Sequence, residues 1–550
     1  MAMDNHMRSV SKELTTQEKM AQGSAWMTMG NIGSRLLGAI YILPWYYWMG
    51  ANADKANALF GMGYNVYALF LMISTAGIPS AIAKQISFYN SRQEYRTSQK
   101  LFLRAFQLMA GFGVVTAGIM YLAAPWLATA SGGGEELIPA MRSLSIALLV
   151  FPCMSVMRGY FQGNQDMKPF AISQVVEQIA RVCYMLLATF IIMRVIEGEY
   201  TAAVTQSTFA AFIGVLASIL VLGYYFQKQR VRMDVLVDMS KEETVLQTKE
   251  LVLATIKEAI PFIIVGSGIT ILKLVDQYTF VRMMSSFTEF SNDQLLELMA
   301  IFGSNPDKLT MVVIGLATSM ASTGLPLISE AVAKKDKKNL AKLISNNLQL
   351  YSFVMFPATF GMIVLSYPLY TLFYRPDALG ASVLVAACLS GLVLGLFMLS
   401  SSMLQGMYHN KEAVVFFFVG LLVKVILQYP AIRLFQVYGP LVSTTIALGI
   451  VCWLNIRKMI RKGHFNVNLT LRRTLLIGAM TIIMVIAALI ARQLFGLVLS
   501  SERKVQAFIL SLLVAGVGGS VYIYIALKLR LAEKLLGSSM VRLRQKLHIK

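Results

Sequence analysis

Four basic residues stand deep inside long apolar runs: Arg35, Arg181, Lys273 and Lys424. A charged residue at mid-bilayer costs about 2.5–3.5 kcal/mol on insertion scales. Four of them cost on the order of 10 kcal/mol, comparable to the net stability of a whole protein. They cannot face lipid, so they either line a wet cavity or pair with acids. Their neighbours follow helical spacing. Ser24, Thr28, Asn31 and Arg35 share one face. Gln174, Glu177, Gln178 and Arg181 share another, and Ser267, Thr270, Lys273, Asp276 and Gln277 form a third polar stripe. Glu177 and Asp276 lie within helical reach of Arg181 and Lys273. That leaves Arg35 and Lys424 without a local acid. A basic surplus of this kind suits a diphosphate, which Arg holds bidentately and Lys as a point charge. The plainer reading is that the charges are internal pairs that only hold the bundle together.

The elements that must position these residues are membrane spans. Of 550 residues, 56% are hydrophobic and 14% charged, against about 25% charged in soluble domains. Apolar runs of 20 or more residues recur, the length that crosses about 30 Å of hydrocarbon as a helix. Fourteen spans are expected: 22–48, 57–83, 101–129, 138–162, 169–193, 200–226, 254–283, 308–332, 343–373, 381–407, 412–434, 438–456, 474–496 and 505–527. The fold class is therefore all-α and polytopic. Cys153, Cys183, Cys388 and Cys452 sit in apolar runs without CxxC spacing, and the four histidines form no ligand cluster. No metal, disulfide or cofactor is expected. The net charge of +21 is sorted by membrane side, so it does not point to nucleic acid.

Lys/Arg bias gives the orientation. With a cytoplasmic N-terminus, roughly 34 Lys/Arg fall on the cytoplasmic side and about 8 outside, with the rest in spans. The even span count then makes both termini cytoplasmic. The cytoplasmic set includes Lys334, Lys335, Lys337 and Lys338, whereas the opposite loops carry Glu135, Glu136, Glu289 and Asp293.

A repeat organises the spans. Ser74–Pro79 (STAGIP) and Ala321–Pro326 (ASTGLP) occupy spans 2 and 8. Phe161–Gly163 (FQG) and Leu404–Gly406 (LQG) end spans 4 and 10. Lys168 or Lys411 follows at a matching offset, and Arg181 or Lys424 at another. This predicts two parallel six-helix repeats plus two C-terminal helices. The parts are a cytoplasmic tail 1–20, a first repeat 21–226, a cytoplasmic linker 227–253, a second repeat 254–460, two further spans 472–528 and a basic amphipathic cytoplasmic tail 529–550 on anionic membrane lipids. Parallel repeats that meet at a central interface are a transporter design with a mid-membrane site. Pro79 and Pro326 are paired candidate hinges.

Ser34–Gly38 (SRLLG) resembles the SRxLG of MurJ-type lipid II flippases. Arg158–Val182 (RGYFQGNQDMKPFAISQVVEQIARV) resembles the Gram-positive polysaccharide-exporter branch of the same superfamily, which includes YtgP-like proteins. This multidrug/oligosaccharidyl-lipid/polysaccharide superfamily has 6+6 helices, with two more in MurJ-like members. The resemblance covers essentially the whole chain. It implies a flippase of the bacterial cytoplasmic membrane that moves undecaprenyl-diphosphate-linked sugars outward by alternating access. It implies a diphosphate-binding role for Arg35. A second arginine expected six residues later is replaced by Tyr41, and the arginine of the eighth span has no evident counterpart, so Arg181, Lys273 and Lys424 are expected to take over. Coupling to Na+, to H+ through Asp276 or Glu177, or to the membrane potential is open, and cell-wall synthesis proteins are candidate partners. The alternatives are export of another lipid-linked polysaccharide unit, or multidrug export, which needs an acidic rather than a basic cavity. A membrane enzyme would need a loop domain or a surface carboxylate/His constellation, and neither is evident. Reporter fusions at Gly133 and Lys335 are expected to report opposite sides of the membrane, with Lys335 cytoplasmic; the same side for both would overturn the span count.

Overall fold

The computed structural model describes residues 37–38, 40–75, 78–240, 260–536 and 538–546. Arg35 and Asn31, most of span 1 and much of the linker lie outside the described residues. All regular elements among the described residues are helical. The first half comprises α1 (Ile42–Met49), α2 (Ala53–Thr75), α3 (Ile78–Ser91), α4 (Tyr95–Ala130), α5 (Gly134–Gly163), α6 (Met167–Phe190) and α7 (Tyr200–Asp238). The second comprises α8 (Ile260–Gly266), α9 (Gly268–Ser285), α10 (Asn292–Met299), α11 (Asn305–Ala333), α12 (Lys337–Val364), α13 (Ser366–Phe373), α14 (Ala378–Gly406), α15 (Asn410–Phe435) and α16 (Gly439–Gly463). There follow α17 (Val467–Gly496), α18 (Lys504–Lys528), α19 (Leu531–Leu536) and α20 (Ser538–Lys546).

The apolar runs become long helices whose outward faces stay apolar, as expected in lipid. Leu122, Trp126, Leu497 and Val498 are among the most exposed large side chains. Polar side chains end the helices where the chain must turn. Asp166, Asp377 and Asn466 accept from backbone N–H groups of α6, α14 and α17. Ser291 and Gln294 make a reciprocal capping box on α10.

The same helix pairs pack in each half. α5 lies on α2–α3, α4 and α7, and α6 lies on α7; α14 lies on α11, α12 and α16, and α15 lies on α16. The glycines of the two QG motifs show why. Gly163 meets the Ala83 carbonyl and Ile86 of α3, both 2.8 Å from where a Cβ would stand. Gly406 meets the Leu325 carbonyl and Ile328 of α11 at 3.1 and 3.3 Å. Absence of a side chain lets backbones touch, the usual device of helix association in lipid. α17 and α18 pack on each other and on α12 and α13, outside the repeat. Leu531 and Ala532 of the C-terminal tail join Phe353 and Tyr522 in a core cluster, and Arg544 pairs with Glu533 at 2.7 Å.

Two expected spans differ in shape. Span 7 is bent by 50° between α8 and α9, where Ser267 is flanked by Gly266 and Gly268. Span 8 is longer than its apolar run. A π-turn over Ala300–Ser304 joins α10 to α11 into one stretch of 42 residues, Asn292–Ala333. Pro326 lies inside continuous α11, whereas Pro79 occupies the first turn of α3, where a missing N–H costs little. Gly163→Leu forces a side chain into the Ala83 carbonyl and is expected to lower the unfolding temperature of the purified protein, since overpacking costs about 1–3 kcal/mol. Gly449→Ala, with open space at that position in the interior of α16, is the control and should not lower the midpoint.

Candidate functional site

In the first half, α6 carries the charge and α5 answers it. Glu177 accepts from Arg181 at 2.8 Å, one turn along its own helix, and from Arg158 of α5 at 2.9 Å. Arg158 also donates to Ser173 and Ser218 at 3.0 and 3.1 Å and lies 5.5 Å over Phe170. Two arginines share one carboxylate, so the group is net positive. Tyr64 of α2, which lines the cavity between the halves, is within electrostatic range of both Arg181 and Lys308. Gln174 and Gln178 are half-buried on the same helix, and Gln178 packs against Gly38 of span 1.

Between the halves lies a cavity of about 180 Å³. α2 contributes Asn57, Phe60, Tyr64 and Asn65; α9 contributes Lys273 and Asp276; α11 contributes Asp307 and Lys308. Lys273 is ion-paired with Asp307. Lys308 donates to the Tyr41 hydroxyl at 2.7 Å, and its ammonium stands 5.3 and 5.0 Å from the Tyr41 and Phe60 rings. Ring faces attract cations without neutralising them. Lys308 therefore keeps its formal charge beside the cavity.

In the second half, Lys424 is enclosed. Its side chain has 0% exposure, and its ammonium is 2.6 Å from Asp276, with Thr444 at 2.6 Å. Two expectations are corrected here. Asp276 pairs across helices with Lys424, not along its own helix with Lys273. Lys424 is not a free cavity cation, because its donors are already engaged. An i,i+3 pair on one helix is worth only a few tenths of a kcal/mol, and a buried cross-helix carboxylate outweighs it.

The cavity is closed at the end bearing the acidic loops. Asn305 of α11 is fully buried there. It accepts from Asn57 at 2.6 Å and donates to Asp54 at 3.0 Å and to Tyr370 at 2.8 Å. Its carbonyl accepts from Tyr374 at 2.6 Å. Lys55 pairs with Asp293, and Arg375 donates to the Gly50 carbonyl. Deeper in, Gln277 of α9 accepts from Asn65 at 3.0 Å and donates to Ser131 at 2.8 Å.

A cavity between two helical halves, lined by Lys273 and Lys308 with further buried cations beyond its lining, can hold an anion and offer it to either side in turn. Comparisons with known proteins give the family. Residues 20–332 match the family described as polysaccharide biosynthesis protein, and residues 305–430 match MatE. The Lipid II flippase MurJ of Bacillus subtilis (strain 168) is 34% identical over 534 residues, covering 94% of this chain and 97% of that protein. The chain belongs to the MurJ family of flippases. Among solved structures, a lipid II flippase MurJ in an inward closed conformation superposes with a TM-score of 0.62 at 16% identity, covering 90% of this chain and 98% of that one. An inward-facing multidrug MATE transporter gives 0.63 at 13% identity, covering 78% and 98%. These two likenesses concern the fold alone.

Against the family pattern, the place of the missing arginine is occupied by Tyr41, and the ammonium that stands over Tyr41 comes from Lys308. Lys308, Asp307 and Arg158 are the charged residues that sequence reading missed. Lys308 opens the apolar run of span 8 and so reads as an interfacial residue. The π-turn starts the helix 16 residues earlier, which places Lys308 about 24 Å along it at 1.5 Å per residue. Arg158 lies in the quoted span 4–5 motif, where its pairing with Glu177 needs the fold to be seen. Glu177→Gln leaves Arg158 and Arg181 facing each other without a counter-charge. Breaking a buried pair on one side costs about 3–5 kcal/mol, so a large drop in unfolding temperature is expected. Arg158→Gln, which leaves the Glu177–Arg181 pair whole, should lower it less.

Proposed function

We propose that this chain moves undecaprenyl-diphosphate-linked sugars, lipid II foremost, from the cytoplasmic to the outer leaflet of the bacterial cytoplasmic membrane. Both termini face the cytoplasm in this reading, in keeping with the Lys/Arg distribution. The observation that carries it is the basic surplus around the cavity, in a chain so similar over its whole length to a protein named lipid II flippase. The charges that line the cavity, Lys273 and Lys308 against Asp276 and Asp307, balance, and the buried groups beyond the lining, Lys424 and the two arginines that share Glu177, add a surplus of two positive charges. A lipid-linked diphosphate carries two negative ones.

Arg181, Lys273 and Lys308 hold the diphosphate, joined by Arg35 of span 1, while Asn31, Gln174 and Gln178 supply polar contacts to the sugars. The isoprenoid tail stays in the bilayer. Rocking of the halves, with Pro79 and Pro326 as hinges, opens the Asn305 contacts and presents the head group outside. The fixed cations lower the cost of taking a dianion through a low-dielectric zone. A cationic drug would meet repulsion in the same cavity, which disfavours multidrug export. Glu177 and Asp276 are each held by a fixed cation, so the membrane potential is the driving force in this reading, at about 2.3 kcal/mol per charge per 100 mV.

The test is rescue of a strain depleted of its lipid II flippase. The wild-type chain should restore growth and clear lipid II from the inner leaflet. Arg181→Ala and Lys308→Ala should each reduce rescue about tenfold or more at equal membrane abundance, as expected for a lost charged contact of about 1.5–3 kcal/mol, and Lys308→Arg should retain it. Growth without any change in the leaflet distribution of lipid II would assign the cargo to another lipid-linked polysaccharide. Full rescue by both alanine variants would sink the anion cavity.

A further inference from the structure

The surroundings of Lys424 do not look like those of an ordinary buried lysine. Five oxygens lie close to its Nζ: Asp276 Oδ1 at 2.6 Å, Thr444 Oγ1 at 2.6 Å, and Gln428 Oε1, Ser443 Oγ and the Pro440 carbonyl, each at 3.2 Å. An ammonium has three protons. Five oxygens therefore exceed what it can bond as a donor, and they surround it as ligands surround a spherical ion. The set contains one carboxylate, one amide oxygen, two hydroxyls and one backbone carbonyl. Hard oxygen donors with a single negative charge suit a monovalent alkali cation better than a divalent one.

The cage residues are also tied to one another. Ser443 donates to Gln428 Oε1 at 2.7 Å, and the Gln428 amide donates to Asp276 Oδ1 at 2.8 Å and Thr279 at 3.0 Å. Thr444 donates to the Pro440 carbonyl at 2.8 Å in the first turn of α16. Three helices of the second half, α9, α15 and α16, thus present their oxygens to one point. Two of these residues, Asp276 and Thr444, also line the central cavity.

We propose that these five oxygens form a Na+-class cation site that the tethered ammonium of Lys424 occupies permanently, so that this carrier works without a soluble cation there. The lysine supplies the charge that joins α9 to α15 and α16, and it does so at any external salt. A shorter side chain at position 424 would open the site to a free ion. The inference concerns the second half alone and holds whichever lipid-linked saccharide is carried.

The test uses the full-length protein purified in non-ionic detergent and needs no lipid-linked substrate, so its outcome is separate from that of the flippase reading. Unfolding temperature and 22Na+ binding are measured in NaCl and in choline chloride at equal ionic strength. The wild type should unfold at the same temperature in both salts and bind no 22Na+ that excess unlabelled Na+ displaces. Lys424→Ala keeps Asp276 and frees space. It should bind 22Na+ saturably and unfold at least about 3 °C higher in NaCl than in choline chloride, the size expected of a specifically bound ligand in excess. Lys424→Met fills the space without charge and should do neither, and adding Asp276→Asn to Lys424→Ala should remove the response. Saturable 22Na+ binding by the wild type overturns the proposal. So does a folded Lys424→Ala that ignores Na+. Should Lys424→Ala fail to purify in either salt, Lys424→Asn serves in its place, and the wild-type binding result decides on its own.

Discussion

A charge inside hydrocarbon must find an opposite charge or a full set of hydrogen bonds, and the whole bundle is arranged around that requirement. The pairs so formed divide cleanly. Glu177 joins α5 to α6, Asp307 joins α11 to α9 through Lys273, and Asp276 joins α9 to α15 through Lys424. Each of these ion pairs lies within one half. Between the halves, the one ion pair among the described residues, Lys55 with Asp293, has its carboxylate in the open, and the deep bonds have at most one charged partner, as in Asn57 to Asn305, Asn65 to Gln277, and Lys308 to Tyr41. Breaking a buried ion pair costs several kcal/mol, whereas an ordinary hydrogen bond is worth about 0.5–1.5 kcal/mol net. The halves are therefore stiff within and loosely joined between. On the proposed function, a molecule built this way rocks as two bodies, with the joint yielding before the parts do.

The same requirement explains what could be read from the chain and what could not. Arg181 and Glu177 are four residues apart on one helix, so their bond follows from spacing. The many long apolar helices, 11 of span length among the described residues or 12 with the bent pair, follow from apolar length, because lipid leaves a helix no alternative way to satisfy its backbone. The partner of Asp276 did not follow, since Lys424 lies 148 residues away and no local rule prefers it to Lys273. Lys308 was hidden for a different reason. Hydropathy marks where a run becomes apolar, not where the helix begins, and the π-turn at Ala300–Ser304 carries the helix back through polar sequence. Similarly, the bend at Ser267 falls in the middle of an unbroken apolar run and is signalled only by the two glycines beside it.

Fold alone does not choose the cargo. A multidrug transporter superposes on this chain about as well as a lipid II flippase does. What separates such carriers physically is the sign of the charge that the cavity leaves unbalanced. Here the imbalance is positive: Lys308 has ring faces and a hydroxyl and, among the described residues, no carboxylate within ion-pair distance, and two arginines share Glu177.

On the proposed function, that sign also determines where the membrane potential acts. A dianionic head group in a cavity with two surplus positive charges around it makes a loaded carrier close to neutral, so its outward step moves little net charge. The empty carrier keeps its two cations, and an interior-negative potential draws them toward the cytoplasmic side. At about 2.3 kcal/mol per charge per 100 mV, the pull on the return step is on the order of 4–5 kcal/mol if the full field is crossed. Release outside is then made irreversible by the reset of the empty cavity rather than by repulsion of the bound lipid. The fixed cations serve both purposes: they bind the anion in one direction, and once unloaded they are the charge on which the field works in the other.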